Sequence, residues 1–136
     1  MYEWDWVAAD RNFRRSAALD PNNANTYHWY NGDFLLTVGR HDEAVAMARK
    51  ARELDPLSLT INGALGRALY SSHRVEEAAA QLRDVLALDS TFFVNNEWLG
   101  TAYMAQGRFA EAVPLYQRAI DPGRTITFLW GNEIAA

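Results

Sequence analysis

The stretch from Asn96 to Pro122, NEWLGTAYMAQGRFAEAVPLYQRAIDP, decides the fold because its pattern of small residues occurs three times in the chain. A glycine series has a constant spacing of 34 residues: Gly32, Gly66 and Gly100. An alanine series has the same spacing: Ala44, Ala78 and Ala112. A fixed period of this length is typical of stacked repeats, in which each unit covers the apolar face of the next.

Each repeat is predicted to consist of two helices joined by a short turn, because apolar residues recur at helical spacing on both sides of the turn. The turns are expected at Gly39, His73 and Gly107. His73 is a local misfit there, since histidine adopts a positive φ only at some cost. The helices are expected at residues 2–18, 25–38, 41–54, 58–71, 75–88, 91–105 and 109–120.

The composition disfavours several classes of function. The chain has no cysteine, so disulfides and thiolate chemistry are excluded. Its formal net charge of −4, without a basic run, disfavours contact with nucleic acid. Apolar runs are too short to span a membrane, and the N-terminus lacks the basic start and apolar core of a signal peptide. We therefore expect a cytoplasmic protein that contacts neither nucleic acid nor membrane.

Enzymatic interpretations fail for lack of suitable residues. The three histidines, His28, His41 and His73, lack the spacing of a metal site, and no phosphate-binding glycine loop occurs. Acidic residues recur in the first turn of each second helix, where they complement the helix dipole. A catalytic carboxylate pair would not occupy the same repeat position three times. We expect no enzyme activity, no metal and no cofactor.

The repeated pattern resembles the tetratricopeptide repeat family, which has Leu-Gly and an aromatic residue on the first helix, and alanines and a proline on the second. The first-helix set reads His28, Asn31, Gly32, Leu35, then Asn62, Leu65, Gly66, Leu69, then Asn96, Leu99, Gly100, Tyr103. The second-helix set reads Ala44, Ala48, Ala51, Pro56, then Ala78, Leu82, Val85, Ser90, then Ala112, Tyr116, Ala119. In this alignment His28, Asn62 and Asn96 stand where the family usually has tryptophan.

The resemblance implies an all-α fold, a right-handed superhelix of stacked antiparallel helix pairs. About seven helices and a short capping helix are expected within a single domain, residues 1–136. Its parts are a half repeat at 2–23, repeats at 25–58, 59–92 and 93–123, and the C-terminal capping helix at 124–136.

The resemblance also implies a non-catalytic scaffold that binds a peptide or protein segment in a concave groove lined by the first helices. The candidate groove residues are Thr26, Trp29, Asp33, Thr60, Arg67, Tyr70, Glu97, Thr101 and Met104. Aromatic residues, an arginine and apolar groups on one stripe suit an extended or helical peptide. The alternative is that these side chains only fill the space between helices or pair with one another.

A second interpretation is self-association through the N-terminal end. Tyr2, Trp4 and Trp6 have no preceding helix to cover them, so another part of the protein or another copy of this chain would have to do so. The openings YEWDW and HWYNGDF are also similar to repeat segments at the C-terminal ends of bacterial multidomain signalling proteins. Such proteins carry a winged-helix, kinase or cyclase domain upstream, which would make this chain a regulatory segment.

Overall fold

The structure is a computed structural model that describes residues 3–120, with side chains described for residues 6–32 and 34–120. Its helices are α1 Glu3–Leu19, α2 Ala24–Trp29, a π-helix Tyr30–Leu35, α3 His41–Leu54, α4 Leu59–Ser71, α5 Val75–Leu88, α6 Phe93–Ala105 and α7 Phe109–Ala119. Within these residues the chain forms helices and turns without strands, as the periodicity predicts. The capping helix expected at 124–136 lies outside the described residues.

The three turns between first and second helices share one geometry. Their central residues have positive φ: 79° at Gly39, 62° at His73 and 74° at Gly107. The next N–H donates to the carbonyl five residues earlier, at 2.9, 2.9 and 2.8 Å for Arg40, Arg74 and Arg108. This is the bonding pattern that closes a helix with a left-handed residue. The expected misfit at His73 is confirmed, because it is the one non-glycine residue with positive φ among those described.

Two of the three periodic glycines, Gly66 and Gly100, lie where two helices meet without room for a side chain. A Cβ added to Gly66 would lie 2.5 Å from Cγ of Leu82, which is fully buried on α5. A Cβ added to Gly100 would lie 3.2 Å from the ring of Tyr116 on α7. The periodic alanines of the second helices are fully buried as well. Close approach of a first helix to its own second helix therefore explains Gly66 and Gly100, whereas a Cβ added to Gly32 would lie 3.2 Å from Nη2 of Arg67 on α4.

The second helix differs from the continuous α-helix expected at 25–38. It is α-helical only from Ala24 to Trp29, and Tyr30–Leu35 forms a π-helix. There the N–H of Leu36 donates to the carbonyl of Asn31, five residues back, at 3.1 Å.

The cause of the π-helix is one extra residue. Pro21 and Gly32 are 11 residues apart, whereas Pro56 and Gly66 are only 10 apart. A π-turn absorbs one residue within an otherwise α-helical segment. The first helix of this repeat can therefore begin early and still bring Gly32 and the following turn into their places in the stack.

The extra residue changes the register of α2, so the expected correspondence of His28 with Asn62 and Asn96 is wrong. Tyr27 takes that place instead. Each of these three residues donates to the carbonyl six residues earlier: Tyr27 to Pro21 at 3.0 Å, Asn62 to Pro56 at 2.8 Å, and Asn96 to Ser90 at 3.0 Å. The side chain at this place ties the start of each first helix to the preceding turn.

Candidate functional site

The first helices of the three repeats lie side by side and form one layer. The helix α4 contacts the π-helix on one side and α6 on the other. The second helices pack behind them, with α3 and α5 both against α4. All nine predicted groove residues belong to the first-helix layer: Thr26, Trp29, Asp33, Thr60, Arg67, Tyr70, Glu97, Thr101 and Met104. All nine therefore belong to helices of the same layer.

The predicted groove residues differ in how far solvent reaches them. Four are exposed: Trp29, Thr60, Glu97 and Met104. Four are half-buried: Thr26, Arg67, Tyr70 and Thr101. The side chain of Asp33 lies outside the description. Exposed side chains are free to meet a ligand, whereas half-buried ones have contacts within the chain that a ligand would have to share.

Arg67 and Thr101 illustrate such internal contacts. Nη2 of Arg67 donates to the carbonyl of Gly32 on the neighbouring first helix at 3.3 Å. Oγ1 of Thr101 bonds the carbonyl of Glu97 and the hydroxyl of Tyr116, both at 3.0 Å. A guanidinium has five N–H donors, so Arg67 keeps donors for a ligand while it joins two repeats. Thr101 uses its hydroxyl within the fold.

Trp98 is a residue of this layer that the sequence analysis missed. Its ring lies 5.9 Å from that of Tyr70, centroid to centroid, and links α6 to α4. A sequence signal for it exists, because Trp98 follows Ser90 by eight residues just as Trp29 follows Pro21. The two tryptophans hold the same place in their first helices.

The register shift also changes which residues of α2 correspond to the groove positions of α4. The places of Thr60 and Gly63 are taken by Asn25 and His28, not by Thr26 and Trp29. Asn25 is exposed and His28 half-buried. Trp29 is turned towards α1, where it helps to line a depression of about 410 Å³ between α1 and α2.

The residues predicted for self-association are described only in part. Trp6 is 38% exposed and lines a shallow depression of about 510 Å³ on α1, beside Val7 and Arg11. Tyr2 and the side chain of Trp4 lie outside the described residues. The N-terminal end therefore presents an aromatic side chain to solvent, next to basic groups.

A polar cluster joins α1 to the first complete repeat. The hydroxyl of Tyr30 donates to Asp10, and Nε of Arg14 donates to the same carboxylate at 2.9 Å. The pKa of Asp10 is held below its ordinary range, chiefly by the hydrogen bond from Tyr30 and then by that from Arg14. Burial, with the bond to Asp10, raises the pKa of Tyr30 to about 12. Both pKa shifts result from the hydrogen bonds and burial that accompany the packing of α1 against the first complete repeat.

Acidic residues at the start of the second helices are paired with arginines. The pairs recur with the repeat: Arg40–Glu43 at 2.5 Å, Arg74–Glu77 at 2.8 Å and Arg108–Glu111 at 2.5 Å. In each case the hydrogen bond from the arginine lowers the pKa of the glutamate. Their recurrence supports the structural interpretation of these acids.

Residues 3–120 contain no group of three histidine, aspartate or glutamate side chains arranged to hold a metal ion. Among the helices described, none combines the length and apolar character needed to cross a membrane.

Comparison with known proteins identifies the repeat. Two family models, both described as "Tetratricopeptide repeat", match residues 35–92 and 99–126, well over half of the chain. The small glutamine-rich tetratricopeptide repeat-containing protein 2 of Mycosarcoma maydis is 29% identical over 85 residues, which are 62% of this chain and 24% of that protein. The chain thus spans about a quarter of this relative's length.

Solved structures share the fold. One titled "MamA MSR-1 C2" is 26% identical, with a TM-score of 0.66 over 82% of this chain and 66% of that one. "Crystal structure of MamA" is 22% identical, with a TM-score of 0.77 over 96% of this chain and 80% of that one. TTC0263, a thermophilic protein of this repeat type from Thermus thermophilus, is 18% identical, with a TM-score of 0.75 over 92% of this chain and 69% of that one.

These likenesses confirm the expected all-α superhelix of stacked helix pairs. The family's repeats are generally non-catalytic scaffolds for protein–protein interaction. The chain belongs to the tetratricopeptide repeat family.

Proposed function

We propose that this chain is a non-catalytic scaffold that binds a peptide or protein segment in the groove of its first-helix layer. The observation that carries the proposal is the row of exposed side chains on adjacent first helices. Thr60 on α4 and Glu97 and Met104 on α6 reach solvent, with Met104 44% exposed. A hydroxyl, a carboxylate and a flexible thioether on one surface suit a polypeptide ligand.

The anchoring of Arg67 supports the same function. Its guanidinium is held at the junction of two repeats by the carbonyl of Gly32. An arginine that is already ordered loses little conformational entropy when a ligand carboxylate or carbonyl accepts its remaining hydrogen bonds. The ring of Tyr70, half-buried against Trp98, offers an adjacent apolar surface. Arginine and tyrosine are the residue types that most often dominate binding energy.

The experiment begins with selection of peptides from a random display library on the intact chain. Affinities of the enriched peptides are then measured by fluorescence anisotropy. The groove variant carries Glu97→Arg and Met104→Glu. The matched control carries the same kinds of change on second helices, Glu53→Arg on α3 and Val113→Glu on α7. All four residues are exposed, so neither variant should alter the fold.

We expect the groove variant to bind the selected peptides roughly tenfold or more weakly, as loss of interface anchors does, and the control variant to bind them as the original chain does. Failure to enrich any peptide would contradict the proposal. So would equal losses of affinity in the two variants, because binding would then not depend on the first-helix layer.

A further inference from the structure

The π-helix leaves one carbonyl of the first-helix layer without a backbone donor of its own. The last of its bonds that span five residues joins the N–H of Leu36 to the carbonyl of Asn31. The ordinary span of four residues has returned where the N–H of Val38 donates to the carbonyl of Phe34. Two carbonyls lie between these two acceptors, those of Gly32 and its neighbour, but only one N–H lies between the two donors. One of the two carbonyls therefore has to find its donor outside the helix backbone.

Arg67 supplies a donor to the carbonyl of Gly32. Its Nη2 reaches this oxygen at 3.3 Å, from α4 of the neighbouring repeat. A Cβ added to Gly32 would meet Nη2 of Arg67 at 3.2 Å and, apart from its own stretch of helix, no other described atom within 4 Å. Glycine at this position therefore leaves room for a guanidinium, whereas Gly66 and Gly100 leave room for a leucine and a tyrosine of their own second helices. The π-helix thus helps to fix where the charged group of Arg67 lies.

The positive charge of Arg67 has no partner among the described carboxylates. The ion pairs between described side chains involve arginines of α1, of α3 and of the three turns, but not Arg67. Arg67 is also the one arginine or lysine in the sequences of α2, the π-helix, α4 and α6. Its side chain is half-buried and keeps N–H donors beyond the one that Gly32 accepts. The candidate groove therefore contains one ordered cation whose charge no described carboxylate neutralises.

We propose that the groove selects polypeptide segments that carry an acidic side chain, with Arg67 as the residue that binds the carboxylate and Gly32 as the residue that positions the guanidinium. The proposal rests on the groove function of the preceding section and names the chemistry of its ligand. A guanidinium and a carboxylate can form two parallel hydrogen bonds, which gives both energy and geometric selectivity. Because the carbonyl of Gly32 already orders the guanidinium, less conformational entropy is lost when the carboxylate binds.

The position of Arg67 favours an internal acidic residue over a chain end. The helix α4 is the middle one of the three first helices, with the π-helix on one side and α6 on the other. A segment whose acidic residue lies at Arg67 can continue over both neighbours, including Glu97 and Met104 on α6. A carboxyl terminus at Arg67 would leave the helix on one side without contact. Aspartate or glutamate within the segment therefore suits this surface better.

The experiment compares pairs of peptides on the original chain and on three variants. The peptides are those enriched from the display library of the preceding section, made with amidated C-termini. Each acidic peptide is paired with a copy in which glutamine or asparagine replaces the acidic residue. Arg67→Gln removes the charge, and Gly32→Ala keeps the charge but displaces the guanidinium. Arg52→Gln is the matched control, since Arg52 is also half-buried and also joins two repeats, through a bond to Gln81 at 2.8 Å.

Affinities are measured by fluorescence anisotropy, and circular dichroism checks that each variant keeps its helix content. We expect the original chain and Arg52→Gln to bind each acidic peptide roughly tenfold or more tightly than its amide copy, as for a hydrogen bond to a charged group. In Arg67→Gln the two copies should bind equally. In Gly32→Ala the preference should lie between these values. A purely structural role for either residue would weaken both peptides alike and leave the preference unchanged.

Failure of this proposal can be told apart from failure of the groove function. Enriched peptides without an acidic residue in common would overturn this proposal alone, as would an unchanged preference in Arg67→Gln. An unchanged preference in Gly32→Ala would overturn the positioning role of Gly32. Binding only by peptides with a free carboxyl terminus would mean that a chain end is the ligand, which also contradicts the proposal. Failure to enrich any peptide would overturn the groove function and this proposal together.

Discussion

Replacement of Gly66 by alanine tests whether the periodic glycines exist for close helix packing. The new Cβ would lie 2.5 Å from Cγ of Leu82, far inside the normal contact distance of two carbon atoms. Leu82 is fully buried and belongs to a cluster with Ala79 and Leu99, so it cannot turn towards solvent. Either Leu82 leaves its rotamer or α4 moves away from α5.

The magnitude follows from two opposed effects. Overpacking of a buried contact costs about 1–3 kcal/mol. Alanine in place of glycine within a helix gains up to about 1 kcal/mol. Gly63→Ala on the same helix α4 isolates the first effect, because a Cβ there would meet only Cε1 of Phe92, at an ordinary 3.6 Å. The helix-propensity gain cancels between the two variants, so Gly66→Ala should be less stable than Gly63→Ala by about 1–3 kcal/mol.

Urea denaturation followed by circular dichroism at 222 nm gives both free energies of unfolding. We expect Gly63→Ala to be at least as stable as the original chain and Gly66→Ala to be clearly less stable than Gly63→Ala. The free energy of unfolding should fall with urea concentration at a similar slope in both variants. Equal midpoints for the two variants would refute the argument, because the packing of α4 on α5 would then tolerate a side chain at Gly66.

Two further predictions concern the junction of α2 and the π-helix. Asn31 takes the place of Leu65 and Leu99, is fully buried, and has no hydrogen-bond partner for its side-chain amide among the described residues. Asn31→Leu should therefore raise the free energy of unfolding by about 1–3 kcal/mol, the usual desolvation cost of an unpaired polar group, and a fall in the urea midpoint would contradict this. Tyr30 has a pKa of about 12 in the folded chain, above its ordinary 10.0. Its contribution to the free energy of unfolding is therefore complete below pH 10 and is lost as the pH rises through 12. Stability measured by urea titration should fall across this window, and Tyr30→Phe should remove that part of the fall; the same decline in both proteins would show that Tyr30 is not its cause.

Most of the fold could be predicted because it depends on local chemistry that repeats. The glycine and alanine series gave the period, and the turn residues placed six of the seven helices within two residues of their bounds in the structure. The π-helix was missed because the repeats were aligned on Gly32 and Gly66, where the spacing is regular. The signal lay in the distance from each glycine to the preceding proline, 11 residues in one repeat and 10 in the next.

The candidate groove could be predicted less completely. Helical spacing placed its residues in one layer, since that depends on periodicity alone. Spacing cannot indicate that Thr101 meets the hydroxyl of Tyr116, or that Arg67 meets a carbonyl of the neighbouring repeat. These contacts join residues 15 and 35 positions apart, and they depend on how closely the helices approach.

Because of the π-helix, the row of α2 side chains at one edge of the candidate groove can change without any change in the other helices. Residues before it on α2 are advanced by one position, about 100° around the helix axis, while Gly32 and the turn at Gly39 keep their places. Deletion of one residue between Pro21 and Tyr27 would remove the need for the π-helix. A different row of α2 side chains would then take the same places. A related chain could therefore exchange Asn25 and His28 for their neighbours at one end of the proposed binding surface by deletion of a single codon, and leave the remaining helix pairs untouched.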